Sequence, residues 1–327
     1  MTGAADNGMG GDEHTLPTSG PFNLEVTARL LQRRPANRVD RWDDDRQRYL
    51  RAVETADGFR LLTITNTGTI DEPDVRLRIE GGPVGETVMH ELVAMARWIL
   101  GLDADPAPVD WLTEVEPHFG PVAHALRGFR PPCFPTLFET CASVLPFQQL
   151  SLDAGIAILG RLVERYGESQ TLAGVDRYAF PGAETIATID PVDLREIGFS
   201  LAKAKALHAL AEHAAAGELE IARFQALPTE TALKELRRLP GIGPWSAGLI
   251  LLRGLRRMDV FPPGDVGAAR NLTEMLDLPV KLTPAETIPI AERFGDRQGY
   301  LYFLGLGAQL VARGLISEMS NDAAASR

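Results

Sequence analysis

The 327 residues predict an α+β protein, with a small N-terminal lobe bearing a sheet followed by a mostly α-helical body. Three observations carry that prediction. Near the start, Val75, Leu77 and Ile79 alternate with Arg76, Arg78 and Glu80, the pattern of a half-buried strand. From residue 84 onward the apolar spacing switches to three and four, which is the helical period. Late in the chain, the run Leu-Pro-Gly-Ile-Gly-Pro-Trp at 239–245 breaks that period with a Pro/Gly turn and restarts it at once.

Composition narrows the class. With 45% hydrophobic and 24% charged residues the chain is long enough for two or three packed lobes. Its apolar runs, such as 145–147 and 249–252, are far too short to cross a bilayer. The first 18 residues hold Asp6, Asp12 and Glu13 but no Lys or Arg, and they lack the regions of a signal peptide. Residues 1–18 are read as a disordered acidic tail and 319–327 as a C-terminal tail, and a soluble cytoplasmic protein is expected. Cys133 and Cys141 are too few for a four-thiolate metal site and read as reduced, buried thiols. His90-Glu91 begins like a zinc-protease motif but lacks the second histidine. A net charge of −11 argues against indiscriminate nucleic-acid binding, although it permits a local basic stripe.

In chain order, residues 19–83 form the N-terminal lobe. Its period is near two, Leu62 and Ile64 support a second strand, and no residue in it reads as catalytic. The body spans 84–318. Its first helix, 86–100, puts Val88, Leu92, Met95 and Ile99 on one face. Residues 134–145 lead into Pro146-Phe147-Gln148-Gln149-Leu150-Ser151, where the glutamine pair has an ordinary reading as a cap on the next helix. Helices follow at 154–166, 190–198 and 201–216, the last with Lys203 and Lys205 on a solvated face. The segment 229–239 is helical, with Thr229 as its N-cap and Leu233 and Leu236 at helical spacing. After the turn, Trp245, Leu249 and Leu252 define the buried face of a helix running to Gly254. Helices at 267–276, 284–294 and 299–315 complete the body.

Chemistry concentrates at 239–265. Gly241 and Gly243 permit close approach, Ile242 plugs the turn, and Pro244 opens the second helix. Free N–H groups at such a helix start seat an anion. Between 234 and 257, Lys234, Arg237, Arg238, Arg253, Arg256 and Arg257 face one anion, Glu235, for a local charge of +5. An ordinary helical turn with a solvated basic face is the bland reading of these residues. Then Val260-Phe261-Pro262-Pro263-Gly264 delivers Asp265, which by itself reads equally as a helix N-cap. Asp259 fits a turn or an ion pair with Arg256 or Arg257.

The hairpin with its following Pro/Gly loop and Asp resembles the helix-hairpin-helix (HhH-GPD) DNA glycosylases, in particular the bacterial 3-methyladenine DNA glycosylase II (AlkA) type. The resemblance runs from about Pro21 to about Leu315. It implies a helical body with a cleft between subdomains, an N-terminal lobe of architectural role, and damaged double-stranded DNA as the partner of a monomeric enzyme. Gly241, Ile242, Gly243, Ser246 and Arg238 would then hold phosphate. Gln148 and Gln149 would be the wedge that fills the duplex when a nucleotide is turned out. Asp265 would stabilise the oxocarbenium character of the sugar as the glycosidic bond breaks.

Strand-nicking relatives carry a lysine where Trp245 stands, so the resemblance implies a monofunctional enzyme that hydrolyses the bond and leaves an abasic site. Trp245 would also form an aromatic wall for a cationic alkylated base, of the 3-methyladenine and 7-methylguanine class. Without the resemblance, Trp245 reads as core. No cofactor is implied beyond a structural monovalent cation at the hairpin, and the four-cysteine iron-sulfur branch is excluded by the cysteine count. The match weakens at the last helix, where Leu306 replaces the pocket tryptophan and Tyr300, Tyr302 or Phe303 would compensate. That departure keeps open a glycosylase of shifted specificity, for deaminated purines such as hypoxanthine, and a non-catalytic binder of damaged DNA.

Overall fold

The structure, a computed structural model, describes residues 13–316. Five antiparallel strands build the N-terminal sheet: β1 (Glu13–Leu16), β2 (Asp40–Asp43), β3 (Arg48–Thr55), β4 (Gly58–Asn66) and β5 (Val75–Glu80), in the order β1-β5-β4-β3-β2. Register sets Tyr49 opposite Ile64 and Ile64 opposite Leu77, so one face of the sheet is continuous and apolar. All three side chains are fully buried. The strands expected around Leu62 and over 75–80 are both present.

Three expectations change. Glu13–Leu16, inside the span read as a disordered tail, pairs with β5 and buries Leu16. Residues 1–12 and the expected tail at 319–327 lie outside the described residues. Helix α1 (Leu24–Gln32) occupies a stretch read at period two; Asn23 caps it by accepting the Val26 amide at 3.1 Å. The N-terminal lobe also extends past residue 83. Helix α2 (Glu86–Leu100) packs Val88, Leu92, Ala96 and Ile99 into one core with Leu62, Ile64 and Leu77, because a sheet with one apolar face needs a covering layer.

The body contains α3 (Leu137–Val144), α4 (Leu152–Tyr166), α5 (Leu201–Ala215), α6 (Thr229–Leu236), α7 (Pro244–Leu255), α8 (Val266–Met275) and α9 (Gly299–Ala312). These agree with the sequence reading to within a few residues at each end. The helix expected at 190–198 shrinks to Asp193–Glu196, and a two-stranded hairpin, Ser169–Leu172 with Val175–Tyr178, was not anticipated. At the centre lies α7, whose Ile250, Leu251 and Leu252 are fully buried in one cluster with Phe303 and Leu304 of α9.

A buried ion pair ties the lobes together. Arg51 on β3 donates to Asp40 on β2 at 2.7 Å and to both carboxylate oxygens of Glu139 on α3 at 2.6 Å, while the Tyr49 hydroxyl donates to Asp40. Burial alone would lower the pKa of Arg51, but Glu139 and Asp40 overcome it and hold the guanidinium well above its ordinary range. The sheet is thereby fastened to the helix that leads into residues 145–151.

Candidate functional site

The hairpin forms where the sequence places it. Helix α6 ends at Leu236, and Pro244 opens α7 as its first residue. Ile242 is buried and its amide donates to the Leu239 carbonyl at 3.2 Å. Gly241 sits at φ +73°, and a Cβ there would lie 2.7 Å from that of Ala206. Gly243 differs, because a Cβ on it would meet nothing within 4 Å. Among the described residues, the Gly241 and Gly243 amides have no backbone acceptor. Together with the open first turn of α7 they present a row of N–H donors to solvent.

Several supporting residues do something else. Thr229 is not an N-cap: it follows Pro228 as the first helical residue, and its hydroxyl donates to the Asp259 carboxylate. Asp259 is therefore held by Thr229 rather than by Arg256 or Arg257. The expected +5 patch is also smaller at the surface. Arg253 is fully buried, Arg256 donates to the Pro131 and Trp98 carbonyls, and Arg257 donates to those of Gln225 and Leu227. Main-chain carbonyls claim the Arg256 and Arg257 guanidinium groups before any ligand can. The exposed cations of the patch are Lys234, Arg237 and Arg238, the last paired with Glu235.

Beside the hairpin opens a cleft of about 540 Å³. Asp265 stands at its wall as the N-cap of α8. One carboxylate oxygen accepts the Ala268 amide at 2.8 Å and the other accepts the Trp245 indole N–H at 2.9 Å. Capping and orientation by Trp245 thus use different oxygens of one group. Gly264, at φ +79°, turns the chain so that the carboxylate follows the Pro262-Pro263 loop. Trp245 is half-buried, with its ring at the edge of the core and one face of the cleft.

The last helix divides the aromatic candidates. Tyr302, Leu306 and Gln309, at helical spacing on α9, line the cleft. Tyr300 and Phe303 do not. Tyr300 lies edge-on to Phe129 at 6.2 Å, and burial pushes its hydroxyl up to about 12. Phe303 is fully buried against Phe129 and Tyr302. A helix offers the cleft one stripe, and 300 and 303 fall on the opposite one.

Gln148 and Gln149 both reach the cleft, but differently. Neither caps α4, whose N-cap is Ser151. The Gln148 amide donates to the Gly241 carbonyl at 2.8 Å and to the Ser246 hydroxyl at 3.0 Å, which stitches this loop to the hairpin. Ser246 is buried, so its hydroxyl serves that stitch rather than an outside phosphate. Gln149 is exposed at φ +57°, a left-handed conformation rarely adopted by a residue with a side chain. Lys203, expected on a solvated face, instead donates to the Gln148 carbonyl at 2.6 Å and to that of Pro146, and burial pushes its pKa below the ordinary range.

With this geometry in view, residues 142–292 match the HhH-GPD superfamily base excision DNA repair proteins, and residues 13–134 match the AlkA N-terminal domain. The chain is 30% identical over 222 residues to the DNA-3-methyladenine glycosylase of Bacillus subtilis, spanning 68% of this chain and 73% of that one. This chain belongs to the HhH-GPD DNA glycosylase family of base excision repair. It is likewise 30% identical to DNA-3-methyladenine glycosylase 2 of Escherichia coli over 66% of this chain and 71% of the relative. The fold is shared with the 3-methyladenine DNA-glycosylase of Archaeoglobus fulgidus, with a TM-score of 0.74, 22% identity, and coverage of 93% and 99% of the two chains. An 8-oxoguanine glycosylase/lyase of Clostridium acetobutylicum, solved with double-stranded DNA, shares it at a TM-score of 0.69 and 16% identity over 94% of this chain and all of that one.

Against the family frame, the cleft holds residues that sequence reasoning missed. Arg33, from the N-terminal lobe, lines it with its guanidinium over the Phe147 ring at 5.3 Å. Asn271 accepts from Gln309 at 2.8 Å across α8 and α9. Neither carried a motif; Arg33 is the residue at which α1 ends, at φ +57°. No described helix is long and apolar enough to cross a membrane, and no described group of three or more His, Cys, Asp or Glu side chains could hold a metal ion. Both cysteines are free and buried.

Proposed function

We propose that this glycosylase acts on damaged double-stranded DNA as a monofunctional enzyme, releasing alkylated bases of the 3-methyladenine and 7-methylguanine class and leaving an abasic site. The observation that carries this reading is the Asp265 carboxylate, held by two hydrogen bonds on a cleft wall beside the hairpin. Gly243 supports the DNA contact. Its φ of −90° demands no glycine and no protein atom would meet a Cβ, so its bareness suits approach by a phosphate from outside. Gly241, the first turn of α7 and Arg238 join it in that contact, and Gln149 is the exposed wedge.

The bond from C1′ to the base nitrogen breaks with its electron pair passing to the base. Positive charge gathers on the sugar, and the preorganised Asp265 carboxylate stabilises it. A water oxygen then bonds to C1′ and gives up a proton, for which Asp265 is the local acceptor. Trp245 has no amine, so no Schiff base forms and the strand stays intact. A monovalent cation at the hairpin would rest on backbone carbonyls, of which Leu239 and Gly241 already accept hydrogen bonds. No step here uses it.

The test is base release from methylated duplex DNA by the native protein and by Asp265→Asn, with liberated bases identified by mass. Asn caps a helix as well as Asp does, so α8 survives while the charge is lost. Methylpurines should appear with the native protein, fall by at least about a hundredfold in the variant, and leave unbroken strands. Undiminished release by the variant would sink the mechanism, and strand breakage would sink the monofunctional assignment.

A further inference from the structure

A groove of about 1060 Å³ runs where the N-terminal lobe meets the body, and it shares no lining residue with the cleft beside the hairpin. Among its walls are the end of β3, the start of α3, and residues 180–185 and 219–222. Helix α2 supplies another. Glu91, Met95 and Trp98 follow on it at i, i+4 and i+7, next to the stripe of Val88, Leu92, Ala96 and Ile99 that it buries in the core of the sheet. The sheet takes one stripe of α2 and leaves the next to the groove. Met95, Trp98, Phe180 and Ile221 are all half-buried, so the groove has an apolar lining that the fold leaves uncovered. Trp98 is fixed there by its indole N–H, which donates to the Phe134 carbonyl at 2.9 Å, and by the Arg256 guanidinium over its ring at 4.9 Å.

The charges around this apolar lining are of one sign. Glu54, Glu91, Glu184 and Glu220 line the groove and are exposed, and among the described residues none of them pairs with a cation. Arg51 is the one basic residue of the lining; it is buried and spent on Asp40 and Glu139. Two of the glutamates converge. A Cβ on Gly182 would lie 3.5 Å from a carboxylate oxygen of Glu184 and 4.0 Å from one of Glu54. Folding thus brings two carboxylates from distant parts of the chain over one point and supplies no counter-charge. A guanidinium or ammonium seated there relieves their repulsion.

Charge selects the occupant. Four carboxylates repel a phosphate backbone, so the groove is not a second DNA site. The segments outside the described residues, 1–12 and 317–327, carry Asp6, Asp12, Glu318 and Asp322 against a single Arg327 and do not complement it. A second copy of the chain, at a net charge of −11, is repelled. We propose that the groove docks a cationic and apolar segment of a partner protein, with Arg or Lys side chains on Glu54 and Glu184 and an apolar anchor on Met95 and Trp98. Because the groove and the cleft have no residue in common, the partner and DNA are held at the same time.

The probe is a short peptide alternating arginine and leucine, titrated calorimetrically into the full chain at about physiological salt, where long-range attraction is screened. The native protein should bind it. Glu54→Gln with Glu184→Gln should weaken binding about tenfold or more, the effect of two lost ion pairs. Met95→Ala should weaken it about fivefold through lost apolar contact. Asp45→Asn with Glu72→Gln removes two exposed carboxylates outside the groove and should leave affinity unchanged. Base release from methylated duplex should be native in all of these variants, which shows that they fold. Equal weakening by the Asp45 and Glu72 pair would reduce the effect to the attraction of an acidic protein for any cation, and would overturn the proposal. So would equally tight binding of a peptide alternating arginine and glycine, which has no anchor. Spermidine binding as tightly, with the same dependence on Glu54 and Glu184, would overturn it in favour of a small polycation, and failure of the native protein to bind the arginine and leucine peptide would overturn it outright.

Discussion

Trp245 acts on the site through one atom as much as through its ring. Its indole N–H meets the Asp265 oxygen that the helix cap leaves free, so the carboxylate is aimed rather than merely present. Trp245→Phe keeps an aromatic wall and deletes the donor. A hydrogen bond to a charged group contributes about 1.5–3 kcal/mol, so single-turnover base release should slow ten- to a hundredfold or so while duplex affinity changes little. Equal loss of affinity and rate would mean that the ring, not the donor, matters. Elsewhere, Cys141 shows what burial does to a reactive group. Desolvation pushes its thiol up to about 12, so the thiolate is scarce at neutral pH. Native protein at pH 7.5 should therefore resist a maleimide (a pH of about neutral, where the thiolate is the nucleophile), and denatured protein should take up two equivalents, one for each free cysteine.

At the scale of elements, the site depends on how closely α7 approaches the loop that carries Asp265. A Cβ on Gly248 would lie 3.2 Å from the Pro262 Cα and 3.2 Å from the Pro263 Cδ, so this glycine is the clearance between helix and loop. Gly248→Val should push the loop outward, cutting base release about tenfold or more and destabilising the fold by about 1–3 kcal/mol, as overpacking does. A variant with native activity and an unaltered denaturation midpoint would show that the loop yields without cost. The helical period at 244–255 told in advance that Trp245 and Leu249 share a face. It could not reveal that Lys203, 55 residues after Gln148 in the chain, holds the Gln148 loop against this hairpin, since a lysine on an alanine-rich helix carries no local sign of its partner.

For the molecule as a whole, the two lobes form one scaffold, and Arg51 is the side chain between them. It bridges Asp40 of the sheet and Glu139 of the body with almost no exposure. Glu139→Ala leaves a buried guanidinium short of one partner and should cost about 3–5 kcal/mol of stability in urea denaturation. Because α3 leads directly into the Gln148 loop, activity should fall with stability even though Glu139 touches nothing in the cleft. A loss below about 1 kcal/mol would instead place water or another group on Arg51 in its absence. The same scaffold brings Arg33 into the cleft, so the N-terminal lobe contributes to the site and is more than a support.

Sequence alone determined whatever depends on neighbours along the chain. The alternation at 75–80, the helical periods after 84, the Pro/Gly hairpin, and the loop ending in Asp265 are all local patterns, and each appears where its residues place it. Tertiary structure decided what depends on partners far away. It selected Tyr302 over Tyr300 and Phe303, took Arg253, Arg256 and Arg257 out of the surface charge, and recruited Arg33, Asn271 and Lys203. The physical reason is that periodicity states which side chains share a face, whereas only packing states what that face meets, and the guanidinium groups of Arg256 and Arg257 go to main-chain carbonyls that other segments bring to them.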